Sequence, residues 1–365
     1  MSAQRLSVDQ RTTTPEPIPA GVRRRRSYTV LRSDSLSLRI HRRTVLVTAT
    51  LVAATLILAV ISLVLRGAGV SPSEAFAVLI GDHGGFAATV VLKWRLPRVV
   101  AALVIGAALA VAGAIFQSLT RNPLGSPDVI GFNTGAYTGA LVVMLAGFGS
   151  FVATATGAMT GGMVAAAAVY LLSLRSGSTG LRMVVVGLGI SAMLAAVNRW
   201  LIRAAELDAS MAIATWGAGT LNGLRWPHVV PGVIALLALI VVAGCLARRL
   251  DLFDMGDEAA HGLGLPLRST QLSLLVVGVG LTACSTALVG PISFVALAAP
   301  HIARALTRGS RVSLAPVAAT GALILVAADL AAQRLFAPTQ LPVGVVTVTI
   351  GGIYLVTLLA REARR

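Results

Sequence analysis

The chain of 365 residues is 56% hydrophobic and 12% charged, against roughly 25% charged residues in an ordinary soluble domain, and its mean hydropathy is +0.84. Those values exclude a water-soluble globular fold and place the chain in lipid. The 30 basic and 14 acidic residues leave a formal charge of +16, but the arginines are scattered over the ends of apolar runs, which fits membrane topology rather than a nucleic-acid-binding face.

Residues 1–43 combine Pro, Thr, Ser and Arg with little apolar periodicity. They are predicted to be a disordered basic cytoplasmic tail, either solvated or resting on anionic head groups. Residues 44–365 are predicted to be the transmembrane domain, with apolar runs near 45–65, 96–119, 129–148, 151–174, 182–202, 229–247, 267–289, 291–307, 312–335 and 341–360. Long unbroken runs satisfy their backbone polar groups as helices, not as an outer-membrane barrel. The expected fold class is therefore all-α, a polytopic membrane protein of about ten transmembrane helices. The first run starts too far in, and is too long, for a cleaved signal. The eighth is short and follows the seventh across Gly290 and Pro291, so the pair reads as two spans or as one broken helix flanking a cavity. Small residues from Gly106 to Gly113 and from Gly157 to Gly162 predict close helix–helix approach. Cys245 and Cys284 fall within predicted spans and read as small apolar residues.

Orientation follows the arginines. Arg23 to Arg26, Arg39, Arg42 and Arg43 precede the first run, and with ten spans Arg361, Arg364 and Arg365 return to the same, cytoplasmic side. Arg121, Arg175, Arg248, Arg249, Arg268, Arg304, Arg308 and Arg311 fall there too. Lys93, Arg95, Arg98 and Arg334 fall at the outer mouth. Lys93, the only lysine, can simply snorkel to the interface. Arg95 and Arg98 stand three apart around Pro97, which can open a helix at its first turn, and guanidinium forks suit carboxylates arriving from outside.

On the opposite face, residues 248–268 hold Asp251, Asp254, Asp257 and Glu258. Gly256 before the acidic pair, and Gly262 and Gly264 after it, predict a short helix within about 250–266, either a docking element or a solvated loop. A P-loop needs a lysine that this stretch and every other lacks, since Lys93 sits in Leu-Lys-Trp. Asp329 is an intramembrane carboxylate five residues from Arg334, hence on another face, and is expected to pair with a different helix. One such group is thin support for ion coupling.

The segments "RLPR" (95–98), "GAALAVAGAIFQSLTRNPLGSPDVIGFNTGA" (106–136), "TWGAGTLNG" (215–223), "GDEAAHGLGLP" (256–266), "GPISFVALAAPHIAR" (290–304) and "LPVGVVTVTIGGIYLVTLLAR" (341–361) resemble the FecCD/BtuC-type permeases of ATP-binding-cassette importers. The resemblance spans about residues 45 to 361 and implies a BtuC-like type II permease fold working by alternating access. It implies a plasma-membrane importer subunit, not an enzyme, which needs no cofactor or metal and no catalytic residue of its own. The implied partners are a second permease subunit, identical or paralogous, two ABC ATPase subunits and an extracytoplasmic substrate-binding protein. A ferric siderophore is the implied cargo, with haem or cobalamin as alternatives. By resemblance, Arg95, Arg98 and Arg334 dock the binding protein, while Gly256, Asp257, Glu258, Ala259, Leu263 and Gly264 seat in the ATPase. His261 and Gly262 stand where the family more often has an arginine and a serine. Asn133, Thr134 and Asn198 are candidates for lining the path, with ordinary interhelical hydrogen bonds as the alternative. Pro300 and His301 are candidates for a gate or for helix packing. An ion-coupled carrier and a receptor that transports nothing are the readings from other classes.

Overall fold

The computed structural model describes residues 28–33, 36–81, 84–148, 150–173, 179–308, 313–337 and 339–362. The predicted tail up to residue 27, together with Arg175, Arg311, Arg364 and Arg365, lies outside them. Residues up to 43 and residues 44–365 form separate units. Within the first, β1 (Tyr28–Ser33) pairs antiparallel with β2 (Leu36–His41), Tyr28 opposite His41 and Ser33 opposite Leu36. This part of the expected unstructured tail is thus a hairpin, its segments carrying the Tyr, Thr, Val and Ile that favour pleated backbone.

Helices make up the second unit. In chain order they are α1 (Arg42–Val64), α2 (Pro72–Leu79), α3 (Gly85–Ala88), a π turn (Thr89–Arg95), α4 (Leu96–Thr120), α5 (Phe132–Leu145), α6 (Phe151–Ser173), α7 (Thr179–Ala204), α8 (Leu207–Gly217), α9 (Trp226–Phe253), α10 (Asp257–Gly262), α11 (Leu267–Val289), α12 (Val295–Thr307), α13 (Leu314–Arg334) and α14 (Val343–Glu362). Each of the ten predicted apolar segments contains one helix. Among the described residues seven helices are long and apolar enough to cross a membrane, joined by the shorter apolar α5 and the 343–357 part of α14.

The differences from prediction are instructive. The second span begins at Gly85 and runs to Thr120, 36 residues without a break. Pro97 therefore lies inside a continuous helix instead of opening one. A proline ring clashes with the carbonyl four residues earlier, and the wider π turn immediately before α4 relieves that crowding. The run at 291–307 yields a helix of only 13 residues, about 20 Å long and too short for a bilayer core of about 30 Å. Gly290 to Phe294 separate it from α11, which at 23 residues is a full candidate span by itself, and α12 runs back from Gly113 toward Pro123 at the end of α4, so the pair is one span followed by a short returning helix and not a single broken one.

α4 is the hub, packed against α9, α11, α12 and α13. Its buried positions run almost without gap from Ala101 to Thr120. Small residues make that possible. A Cβ added at Gly106 would lie 2.4 Å from the Gly321 carbonyl oxygen, and one at Gly321 would lie 2.2 Å from that of Gly106, so α4 and α13 touch backbone to backbone. Large apolar side chains such as Leu46, Ile57, Val164, Val185 and Val241 are exposed on α1, α6, α7 and α9, as lipid-facing positions are.

Candidate functional site

Three sites lie along α4. At its first turn, a bowl of about 590 Å³ is lined by Arg66, Arg95, Arg98, Arg225 and Arg334, with Trp94, Asn222, Gln333 and Gln340. Arg95 and Arg334 are held over the end of α1. Arg95 donates from Nη1 to the Leu63 carbonyl and from Nη2 to that of Gly67, both at 2.6 Å, and Arg334 Nη1 donates to the Arg66 carbonyl at 2.5 Å. The last carbonyls of a helix want donors, and the negative end of its dipole favours cations. The C-terminal end of α1 thus gathers two arginines from distant elements into one rim.

Arg98 behaves differently. Its Nε reaches Asp329 Oδ1 and Oδ2 at 3.0 Å each, and Nη2 reaches Oδ1 at 2.7 Å. Nη1 donates to Asn222 Oδ1 at 2.5 Å and to Gln340 Oε1 at 3.1 Å. The Arg98 and Asp329 side chains are 12% and 3% exposed. Asp329 does find its partner on another helix, and that partner is one of the three arginines expected to face outward. Lys93 is exposed and is not among the residues lining the bowl.

Midway along the fold, a second cavity of about 270 Å³ is lined by Asp128, Asn133, Thr134, Tyr137, Ala195, Asn198, Arg199, Ile202, Pro291 and Ser293. All three predicted path residues meet here. Asn133 Oδ1 accepts from Thr286 Oγ1 at 3.0 Å, its amide donates to Asp128 Oδ1, and Thr134 Oγ1 stands 3.1 Å from Ser191 Oγ. Asn198 Oδ1 is buried with no hydrogen-bond partner among the described residues. The Asp128 Oδ2 atom accepts from the Phe294 backbone N–H at 3.0 Å. Phe294 adopts φ 69°, uncommon for a bulky residue, and its N–H meets that carboxylate at the N-terminus of α12.

Pro300 and His301 do not reach that cavity. Pro300 is buried within α12, and His301 Nε2 donates to the Pro123 carbonyl at 2.7 Å, where the connection after α4 passes α12.

The third site is the α9–α10 corner beside the last turn of α4. Gly256 (φ 100°) and Gly264 (φ 78°) bracket α10 in backbone conformations that only glycine adopts freely. They turn Asp257, Glu258, Ala259 and Leu263 outward as an exposed knob, anchored by the buried Ala260. Asp257 is not wholly available to a partner, because its Oδ1 accepts from Arg121 Nη2 at 2.6 Å.

A model of the FecCD transport family matches residues 54–361. The chain belongs to the FecCD family. Among this FecCD protein's relatives, the ferric enterobactin transport system permease protein FepG of Escherichia coli (strain K12) is 47% identical over 89% of this chain and 99% of that one. The Fe(3+) dicitrate permease FecD of the same organism is 37% identical over 74% and 85%. The hemin permease HmuU of Yersinia pestis is 33% identical over 74% and 83%. A metal-chelate type ABC transporter solved in an inward-facing conformation superposes with a TM-score of 0.77 at 26% identity, over 86% of this chain and 99% of that one.

The FecCD protein is thus a multi-pass membrane protein built on a known permease fold. Arg66 and Arg225 of the bowl, Asp128 of the central cavity and Arg121 of the corner escaped the sequence reading. The first two and Arg121 look like ordinary basic residues at helix ends. Asp128 carries a signal, an acidic residue directly after Pro127 and just ahead of an apolar run.

Proposed function

We propose that the chain is the permease subunit of a plasma-membrane ABC importer for ferric siderophores. The observation that carries the reading is the 47% identity to a ferric enterobactin permease over 99% of that protein's length. The site geometry supports it from both ends. An arginine-lined bowl with no carboxylate among its described lining residues suits an acidic partner surface, and a rigid knob at the far end of α4 suits a motor subunit. On this reading both termini are cytoplasmic, the bowl faces outward to the substrate-binding protein, and α10 seats in one of two ATPase subunits. The cavity around Asn133, Thr134 and Asn198 belongs to the path beside the second permease. Arg95 and Arg334 make the outer contact, with Arg98 as the brace beneath them. ATP hydrolysis resides in the partner, and this chain needs no cofactor. Nucleotide and loaded binding protein must favour different states of the bundle for transport to occur.

Uptake of ⁵⁵Fe presented as ferric enterobactin, as other defined siderophores and as ferric citrate, with haem and cobalamin in parallel, tests the proposal in cells with and without the gene. Loss of a ferric-siderophore signal on deletion is the expected result. Loss of haem or cobalamin uptake alone would keep the machine and replace the cargo, and unchanged uptake of all of them would refute the proposal.

A further inference from the structure

The connection between α4 and α5, residues 121–131, is fastened at both ends to elements that the proposed mechanism requires to move. At its start, Arg121 closes α4 in a left-handed conformation, φ 49°. Its Nη2 and Nη1 reach the two carboxylate oxygens of Asp257, the first residue of α10, at 2.6 and 3.4 Å. The same guanidinium lies 5.4 Å from the ring centroid of Phe253, the last residue of α9. One side chain therefore grips both arms of the α9–α10 corner. Near its other end, Asp128 holds the Phe294 N–H that opens α12 and forms part of the central cavity wall. Between them the Pro123 carbonyl binds His301 on α12.

The connection is also stiff. Leu124 N donates to Asn122 Oδ1 at 2.9 Å, Gly125 N to the Asn122 carbonyl at 2.9 Å, Ile130 N to that of Ser126 at 3.1 Å and Phe132 N to that of Pro127 at 3.1 Å. Pro123 and Pro127 fix two further backbone angles. A segment tied at both ends and braced internally transmits displacement instead of absorbing it.

We propose that residues 121–131 are a strap that carries movement of α10 to α12 and the central cavity, with Arg121 and Asp128 as its positioning residues. The inference rests on the reading that α10 meets an ATPase. It gives the Arg121–Asp257 pair a role its stability value would not explain: the side chains are 45% and 58% exposed, and exposed pairs add little to folding. Loss of the Arg121 side chain is therefore expected to leave the protein assembled and uncouple it.

The test uses the full complex in native membranes. In a Cys245→Ser, Cys284→Ala background, Ser293→Cys places one thiol at the cavity wall, and its labelling rate by a water-soluble maleimide is compared without nucleotide and with ATP plus vanadate. We expect the background protein to respond to nucleotide, Arg121→Ala to shrink that response by about fivefold or more while the ATPase is still recovered with the chain, and Arg121→Lys, which keeps a charge facing Asp257, to retain most of it. Immunoblots of membrane protein and recovery of the ATPase with a tagged chain report assembly. Arg121→Gln, which removes the charge and keeps much of the side chain, replaces Arg121→Ala if the latter fails to accumulate. A response unchanged in Arg121→Ala, or lost equally in Arg121→Lys, overturns the strap. A background protein that shows no nucleotide response removes the ATPase-coupled reading itself, and the strap with it.

Discussion

Arg98 and Asp329 show how a single side chain can change meaning between the sequence and the folded chain. In sequence, the arginine belongs to an outward-facing pair around Pro97, and only the five-residue offset of Asp329 from Arg334 hints that the carboxylate looks elsewhere. Folded, the two close a nearly dry pair whose remaining donors are satisfied by Asn222 and Gln340. Nothing local could have announced a partner so far along the chain. Removing one member leaves an uncompensated charge. Asp329→Asn or Arg98→Ala is therefore expected to lower stability by roughly 3–5 kcal/mol, with the double variant Arg98→Ala, Asp329→Ala losing less than the sum, as measured by thermal denaturation in detergent. A proton-coupled role for Asp329 would show the opposite pattern, lost transport at preserved stability. Glu74 offers a pH test at the same scale. The backbone N–H and hydroxyl of Ser71 hold its carboxyl below the usual range, in a capping box at the start of α2. A depressed carboxylate contributes stability above its unfolded pKa and loses it as pH falls through the folded value. Amide exchange at α2, referred to that of a neighbouring helix, should therefore accelerate severalfold in acid, and Ser71→Ala should remove most of the difference.

At the scale of elements, hydropathy located all ten apolar segments because each must bury or lipidate a stretch of about 20 residues. It could not measure α5 and α12. Val129 and Ile130 ahead of α5, and Ile292 and Phe294 ahead of α12, extend the apolar runs beyond the helices themselves, so a scale that sums side chains overruns both helix starts. Hydropathy was also blind to α2 and α8, which lie between spans. The glycine pattern was more informative. Gly106 and Gly321 meet where any side chain would enter the facing backbone. Gly106→Leu is expected to force α4 and α13 apart and abolish accumulation of the protein in membranes. Gly244→Leu, on α9 where an added Cβ meets nothing within 4 Å, should accumulate normally. The same contrast measured by immunoblot would count against backbone contact if both variants accumulated alike.

For the whole molecule, the bowl and the α9–α10 corner stand at opposite ends of the 25-residue α4, so a single helix reports on both. Two separate clusters of charge, one around Arg95 and Arg98 and one at 251–258, were legible in the sequence. What was not legible was which charges remain available, since that depends on long-range partners. Arg95→Glu and Arg334→Glu are expected to weaken docking of the binding protein about tenfold or more at low ionic strength and to flatten its salt dependence, read by titrating the binding protein onto the reconstituted complex. Arg66→Glu and Arg225→Glu, at the same rim, should act in the same direction. Equal affinity and equal salt slope in all four would sink the electrostatic account.

The Arg98–Asp329 pair also imposes an order on biogenesis. Its members are 231 residues apart, and at roughly 5–20 residues per second a ribosome needs about 12 to 46 seconds to make the second after the first. During that interval α4, the helix on which the rest of the bundle packs, carries an arginine whose counter-ion has not yet been made. The hub can settle only when the next-to-last helix arrives, which makes α13 the step that commits the nascent chain. Polypeptides released before Leu314 should be cleared as incomplete, however many of their helices have already entered the lipid.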